Sequence, residues 1–232
     1  ATGNNRSVGW LEIPKNARNI SSWKYHKLQD AGWIMSLISI DMNQDGRKDI
    51  LISDRRGPKR GVYWLEYPGP EAAIDPLQWK RHDIGGNNRE IKFISHGDLD
   101  KDGRLDVIAI DKTSIVWFRS TESEWKEHVI PLPDGVGGGK SAVTFDVNQD
   151  GKNDLVFSCE SAKAPLSGTQ WLSYRDTPFE QFWQNHEIAG KTGIKYDRIV
   201  PSDVDGDGDL DILCCEERDQ LGVFWYENPY GQ

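Results

Sequence analysis

The stretch DVDGDGDLD, Asp203 to Asp211, sets five aspartates and two glycines into nine positions. Carboxylates this dense repel one another, so a chain that keeps them needs a counter-charge. The stretch is one of four. DMNQDGRKD begins at Asp41, DLDKDGRLD at Asp98 and DVNQDGKND at Asp146; all share D-x-[DN]-x-D-G-x-x-D, at separations of 57, 48 and 57 residues. A motif returning at such a period marks a repeat protein, and the repeat then decides the fold.

Other landmarks keep the period. Short apolar runs flank each acidic segment, as SLISID and DILIS flank the first. An aromatic run recurs as VGWLEIP, GVYWLEYP, SIVWFRS, TQWLSY and GVFWYENP, and W-x-x-H recurs as Trp23/His26, Trp79/His82, Trp125/His128 and Trp183/His186. Each unit reads as an apolar strand, the acidic loop, a second apolar strand and two aromatic strands. No 3.6-residue apolar pattern lasts long enough for a substantial helix. Four-stranded all-β units at this spacing predict the blades of a β-propeller, with the acidic loop between the first two strands of each. The repeats fall near 34–84, 91–130, 139–188 and 195–228, and seventeen strands are expected in sets of two, four, four, four and three. Residues 1–232 then form a single propeller domain, its N-terminal strands (8–28) pairing at closure, or an arc of a larger one.

Composition agrees with a folded chain. Its 10 Trp, 7 Tyr and 7 Phe need a core to bury them. A net charge of −9 argues against nucleic acid as a partner, and no apolar run reaches the ~18 residues of a membrane span. Cys159, Cys214 and Cys215 are too few for a disulfide framework; the adjacent pair should point to opposite faces of a strand.

The acidic loops have the chemistry of a hard-cation site. Oxygen donors at positions one, three and five converge on one ion, glycine at six permits the turn, and the carboxylate at nine returns a further oxygen. The ligand sets are Asp41, Asn43, Asp45 and Asp49; Asp98, Asp100, Asp102 and Asp106; Asp146, Asn148, Asp150 and Asp154; and Asp203, Asp205, Asp207 and Asp211. All-oxygen donors on flexible loops suit Ca²⁺, up to four ions, which would bring the net charge from −9 to −1. The second and fourth loops carry Asp at position three and should bind more tightly. An EF-hand is excluded, because its twelfth position needs Glu and these loops place Ile52, Ala109, Phe157 and Cys214 there, between strand-like flanks.

This pattern resembles the FG-GAP/VCBS repeat family of calcium-binding β-propellers. The resemblance implies a secreted, extracellular, cell-surface or periplasmic protein, and covers both adhesion or carbohydrate-binding modules and sugar-active enzymes. The reading favoured is a noncatalytic binding module that recognises a glycan or extracellular partner through loops at one end of the channel. Those loops carry cations such as Arg55, Arg56, Lys140 and Lys163, suited to an anionic glycan. The alternative is a carbon–oxygen lyase or dehydratase on carbohydrate, working by β-elimination. It would need a cation to neutralise a carboxylate and a proton carrier, for which Tyr196 between Lys195 and Arg198 is the best cluster, with His96 and Lys92 next. The W-x-x-H histidines are expected to pack the blades, and His96, outside that pattern, to be a satisfied core histidine.

Overall fold

The computed structural model describes residues 6–231, which fall into two compact units divided between Ile91 and Lys92. The first unit holds a two-stranded sheet, β1 (Ser7–Glu12) and β2 (Lys24–Asp30), and a four-stranded sheet, β3 (Ile34–Ile40), β4 (Asp49–Asp54), β5 (Gly61–Glu66) and β6 (Lys80–Gly85). The second begins with two four-stranded sheets. One is β7 (Ile94–Gly97), β8 (Asp106–Ile110), β9 (Ser114–Ser120) and β10 (Trp125–Pro131); the other is β11 (Gly138–Phe145), β12 (Asp154–Glu160), β13 (Thr169–Ser173) and β14 (Gln184–Glu187). It ends with three strands, β15 (Tyr196–Ser202), β16 (Asp211–Glu216) and β17 (Val223–Tyr226). Every sheet is antiparallel and ordered as in the chain, so the fold is an all-β propeller with these sheets as blades. Among the described residues the seventeen strands group as the sequence predicts, and no helix is long and apolar enough to cross a membrane.

The apolar runs lack a strict polar alternation because the second strand of a blade is buried on both faces. In β12, Leu155, Phe157 and Cys159 pack with Leu99, Ile108 and Trp117 of the preceding blade. Val156, pointing the other way, packs with Tyr196, Ile199 and Ile212 of the next. In the first unit Val8, Ile34, Ile52, Tyr63 and Leu65 form a separate core. Each fully buried side chain of this kind contributes about 1.5–3 kcal/mol. Cys214 is buried and its neighbour Cys215 partly exposed, as opposite faces of β16 require; all three cysteines are free thiols.

Cross-strand register explains the histidines. Trp10, Trp64, Trp117 and Trp171 lie directly opposite His26, His82, His128 and His186. Their rings pack at centroid distances of 4.2, 4.1, 4.8 and 3.8 Å. Burial lowers the pKa of His128 and His186 below the ordinary imidazole value. In the first two W-x-x-H copies the opening tryptophan does a different job: Trp23 and Trp79 donate their indole N–H groups to the Ala17 and Ala73 carbonyls at 3.0 Å, tying down the loop before the strand.

Candidate functional site

Each acidic loop joins the first two strands of a blade. Position six is Gly46, Gly103, Gly151 or Gly208, with φ from 84° to 98°, left-handed backbone that favours glycine. In the first three loops the opening aspartate accepts N–H bonds from positions five and six, as Asp98 does from Asp102 at 3.0 Å and Gly103 at 2.7 Å. The fourth loop turns differently, Asp203 accepting from Gly206 at 2.7 Å.

The ninth-position carboxylates are buried. Asp49, Asp106 and Asp211 each accept one backbone N–H from the loop start (Met42, Leu99, Val204) and one from beyond the third strand or its end (Tyr67, Ser120, Asn228), at 2.8–3.2 Å. Asp154 accepts from Val147 at 3.1 Å. They therefore clamp the loop to the sheet as well as facing it; Asp106 Oδ2 also accepts the Trp117 indole N–H at 2.9 Å, so in that loop Oδ1 is the oxygen with a second lone pair for a ligand. Burial pushes the Asp106 carboxyl up to about 6 and that of Asp154 up to about 7.

Among the described residues, two acidic triads bring one oxygen per residue within 4.8 Å of the others: Asp98, Asp100 and Asp106, and Asp203, Asp205 and Asp211. These belong to the two loops with Asp at position three. Asp100 Oδ1 is buried without a hydrogen-bond partner, a gap that a cation would fill. The same loop attracts positive charge from the protein itself, for Arg119 donates to Asp100 and, at 2.7 Å, to Asp102. An all-carboxylate set with an orphaned oxygen fits a hard divalent ion.

The residues singled out for proton transfer are not gathered into one cluster. The Tyr196 ring is wholly buried with Phe224 and Tyr226, and its hydroxyl pairs with that of Tyr226. Burial, followed by that bond, raises its pKa above the ordinary tyrosine value, so neighbouring cations do not stabilise a phenolate here. Lys195 is paired with Glu217, and Arg198 is exposed on the same strand. His96 is exposed near the end of β7, where the strand gives way to the acidic loop, and is not the core histidine the sequence suggested. Tyr196→Phe should cost about 1 kcal/mol in urea unfolding, the worth of one hydrogen bond. A larger loss would mean that the hydroxyl holds more than Tyr226.

Lys92 is buried, with its ammonium group donating to the Gly139 carbonyl and, at 2.6 Å, to Glu160. Lys140 reaches Glu160 at 3.2 Å and Asp197 at 2.9 Å. Both Lys140 and Asp197 lie where the ladder register shifts, and such bulges re-aim side chains out of the strand's alternation. In the first unit Arg55 and Arg56 share Glu90 and pack over Trp33. Several cations expected to await an anionic ligand are thus already matched by carboxylates.

What the sequence did not reveal is a groove in the second unit, about 490 Å³, whose lining includes Trp171, His186, Tyr226, Asn228 and Tyr230. Tyr230 meets Trp171 edge-on, and half of its surface is exposed. Asn228 ties this groove to the fourth acidic loop. Its N–H donates to Asp211, its side-chain amide donates to the Val147 and Leu210 carbonyls, and its Oδ1 accepts from the Tyr230 N–H.

Comparison with known proteins supports this architecture. Residues 98–157, running from the second acidic loop into the third blade, match the model of the FG-GAP-like repeat. No curated protein matches the sequence. Among solved structures, the fold is similar to that of a lectin from Agrocybe aegerita, described as specifically recognising non-reducing terminal N-acetylglucosamine, at a TM-score of 0.53 and 13% identity. The match covers 97% of this chain but spans only 58% of the lectin, and at that identity it speaks for the fold alone. The sheet order makes the chain an all-β propeller, and within it residues 98–157 match the FG-GAP-like repeat.

Proposed function

We propose that this protein is a calcium-stabilised extracellular binding module that recognises glycans. Asp98, Asp100 and Asp106, and Asp203, Asp205 and Asp211, would hold the ions most firmly, with the loops at Asp41 and Asp146 as weaker sites. A bound ion supplies charge neutralisation and fixes the hairpin between the first two strands. Exposed loops of this kind suit the high calcium concentrations found outside cells.

The observation that carries the glycan reading is the aromatic groove and its link to the fourth loop. Sugars present apolar C–H faces that pack on aromatic rings, and hydroxyls that need fixed polar partners. Trp171, Tyr226 and Tyr230 supply the rings, and His186 and Glu187 lie beside them. The groove's volume falls within the range of small-ligand sites. Through Asn228, order in the acidic loop reaches Tyr230, so ligand binding should depend on calcium. The lectin of similar fold is described as recognising a terminal sugar, so a fold of this kind can carry such a site.

A glycan array, followed by calorimetry on the strongest hit, tests the reading. Saturable binding is expected, weakened about tenfold by Tyr230→Ala, the effect of removing one aromatic contact, and weakened again by chelator. Retention of no glycan in calcium-containing buffer would overturn it.

A further inference from the structure

In three sheets the stacked histidine makes a second bond, and in the fourth it does not. His26, His82 and His186 each use Nε2 to bond the residue two places after the tryptophan they stack on: Glu12 at 2.9 Å, Glu66 at 2.8 Å and Ser173 at 2.9 Å. On β9 that place is held by Arg119, a donor with no lone pair to offer, already bonded to Asp100 and Asp102. His128 Nε2 is left buried without a partner. A second repeat bond fails on the neighbouring sheet. Trp23 and Trp79 donate their indole N–H groups to a carbonyl six residues earlier. Six residues before Trp183 stands Thr177, whose carbonyl instead accepts the Glu180 N–H at 3.2 Å, closing a turn of its own. The Trp183 indole N–H is therefore also buried and unpaired. A buried polar atom left this way calls for an explanation.

Both rings line one groove of about 630 Å³, between β10 and the loop that joins β13 to β14, and all of its lining belongs to the second unit. Val129, Leu132, Pro178, Phe179 and Phe182 are among its apolar lining. The Phe179 ring packs on Trp117 and on His128, each at 5.2 Å, yet that residue is 51% exposed and Phe182 is 80% exposed. Asp134 and Glu180 also line the groove, with no lysine or arginine, which suits a neutral or cationic occupant. The ladder of β10 adds backbone groups. Thr121 donates to the Glu124 carbonyl and Leu132 to that of Thr113, so even-numbered residues of β10 bond β9 and the Val129 N–H and C=O turn the other way.

We infer that this groove is a docking site for an extended, apolar peptide segment of a partner protein. The Val129 backbone and the orphan indole N–H call for amide carbonyls and N–H groups, which an extended peptide presents at regular spacing. The aromatic and proline walls take its side chains. The two unpaired nitrogens lie beneath the groove wall, and the exposed Phe179 and Phe182 side chains have room to move aside as the segment enters.

No residue of this groove lines the one at Tyr230, so the inference stands apart from the glycan reading. The test uses the whole protein and a pool of eight-residue peptides drawn from leucine, valine, phenylalanine and proline, with a lysine at each end. The tightest binder in the pool is titrated by NMR. Saturable shifts of the Val129 amide and the Trp183 indole N–H are expected, with affinity about tenfold lower for Phe182→Ala and for Trp183→Phe, which removes the donor. The exposure of Phe182 keeps the test valid even if Trp183→Phe disturbs folding. No binder in the pool, shifts confined to other regions, or unchanged affinity in Phe182→Ala would overturn the inference. So would a saccharide that shifts the same two resonances, or self-association abolished by Phe182→Ala, because the occupant would then be a glycan or a second copy.

Discussion

If the acidic loops hold calcium as proposed, chelation should lower the melting temperature of this protein by about 10 °C or more. An ion that binds only the folded loops stabilises by about 2.7 kcal/mol per site when free calcium is a hundred times the dissociation constant. For a chain of this size each kcal/mol moves the melting temperature by roughly 2–4 °C, and the Asp98 and Asp203 loops together supply two such contributions. The fourth loop should dominate, because Arg119 competes with the ion for Asp100 and Asp102 in the second. Arg119→Met removes that competitor, so it should tighten calcium binding at the second loop while weakening the calcium-free protein. Differential scanning calorimetry with and without EDTA measures both effects; a melting temperature indifferent to chelator would contradict the assignment.

Lys92→Ala should be the most damaging single substitution outside the apolar core. It strands the Glu160 carboxylate and leaves the Gly139 carbonyl without its ammonium donor. Removing one partner of a buried ion pair costs about 3–5 kcal/mol, and the lower end applies here because Lys140 still reaches Glu160. Glu160→Gln in the Lys92→Ala background should recover part of the loss, a coupling that a double-mutant cycle reads directly. The pH dependence has a definite sign. Burial alone would raise the Glu160 pKa, but the hydrogen bond and charge of Lys92, then Lys140, hold it below its ordinary value of 4.5. A carboxyl depressed in the folded state stabilises fully above its unfolded pKa, and that contribution disappears as pH falls through the folded value. Urea titrations from pH 7 to pH 3 should therefore show the gap between wild type and Lys92→Ala closing only below about pH 4.5. A gap independent of pH would place the loss in packing instead.

The blades were legible because the acidic motif repeats and because both-face burial leaves unbroken apolar runs such as DLVFSCE. The Trp–His stacks were not. The separation between partners varies, from Trp117 and His128 to Trp64 and His82, because the connecting loops differ in length, and only the ladder register reveals that the rings are opposite. The ion-pair cluster was hidden for a related reason. Lys92 and Glu160 lie on neighbouring blades, and the bulges that turn Lys140 and Asp197 toward each other leave no mark in hydropathy. One signal of these pairings is present in the sequence. An acidic residue ends or follows each second strand at Asp54, Asp111, Glu160 and Glu216. Asp54, Asp111 and Glu216 accept turn N–H groups, as Asp54 does from Gly32 and Trp33 at 2.7 Å. Reading those acids as turn caps would have shown that much of the negative charge near the cations is structural.

The most direct test of the account is a calcium titration of chelator-treated protein by calorimetry, alongside the variant Asp203→Asn/Asp205→Asn. The account predicts saturable binding of at least two ions per chain, with the variant losing the tighter one while remaining folded in calcium buffer. No heat of binding, or the same stoichiometry and affinity in the variant, would contradict the claim that these loops are cation sites.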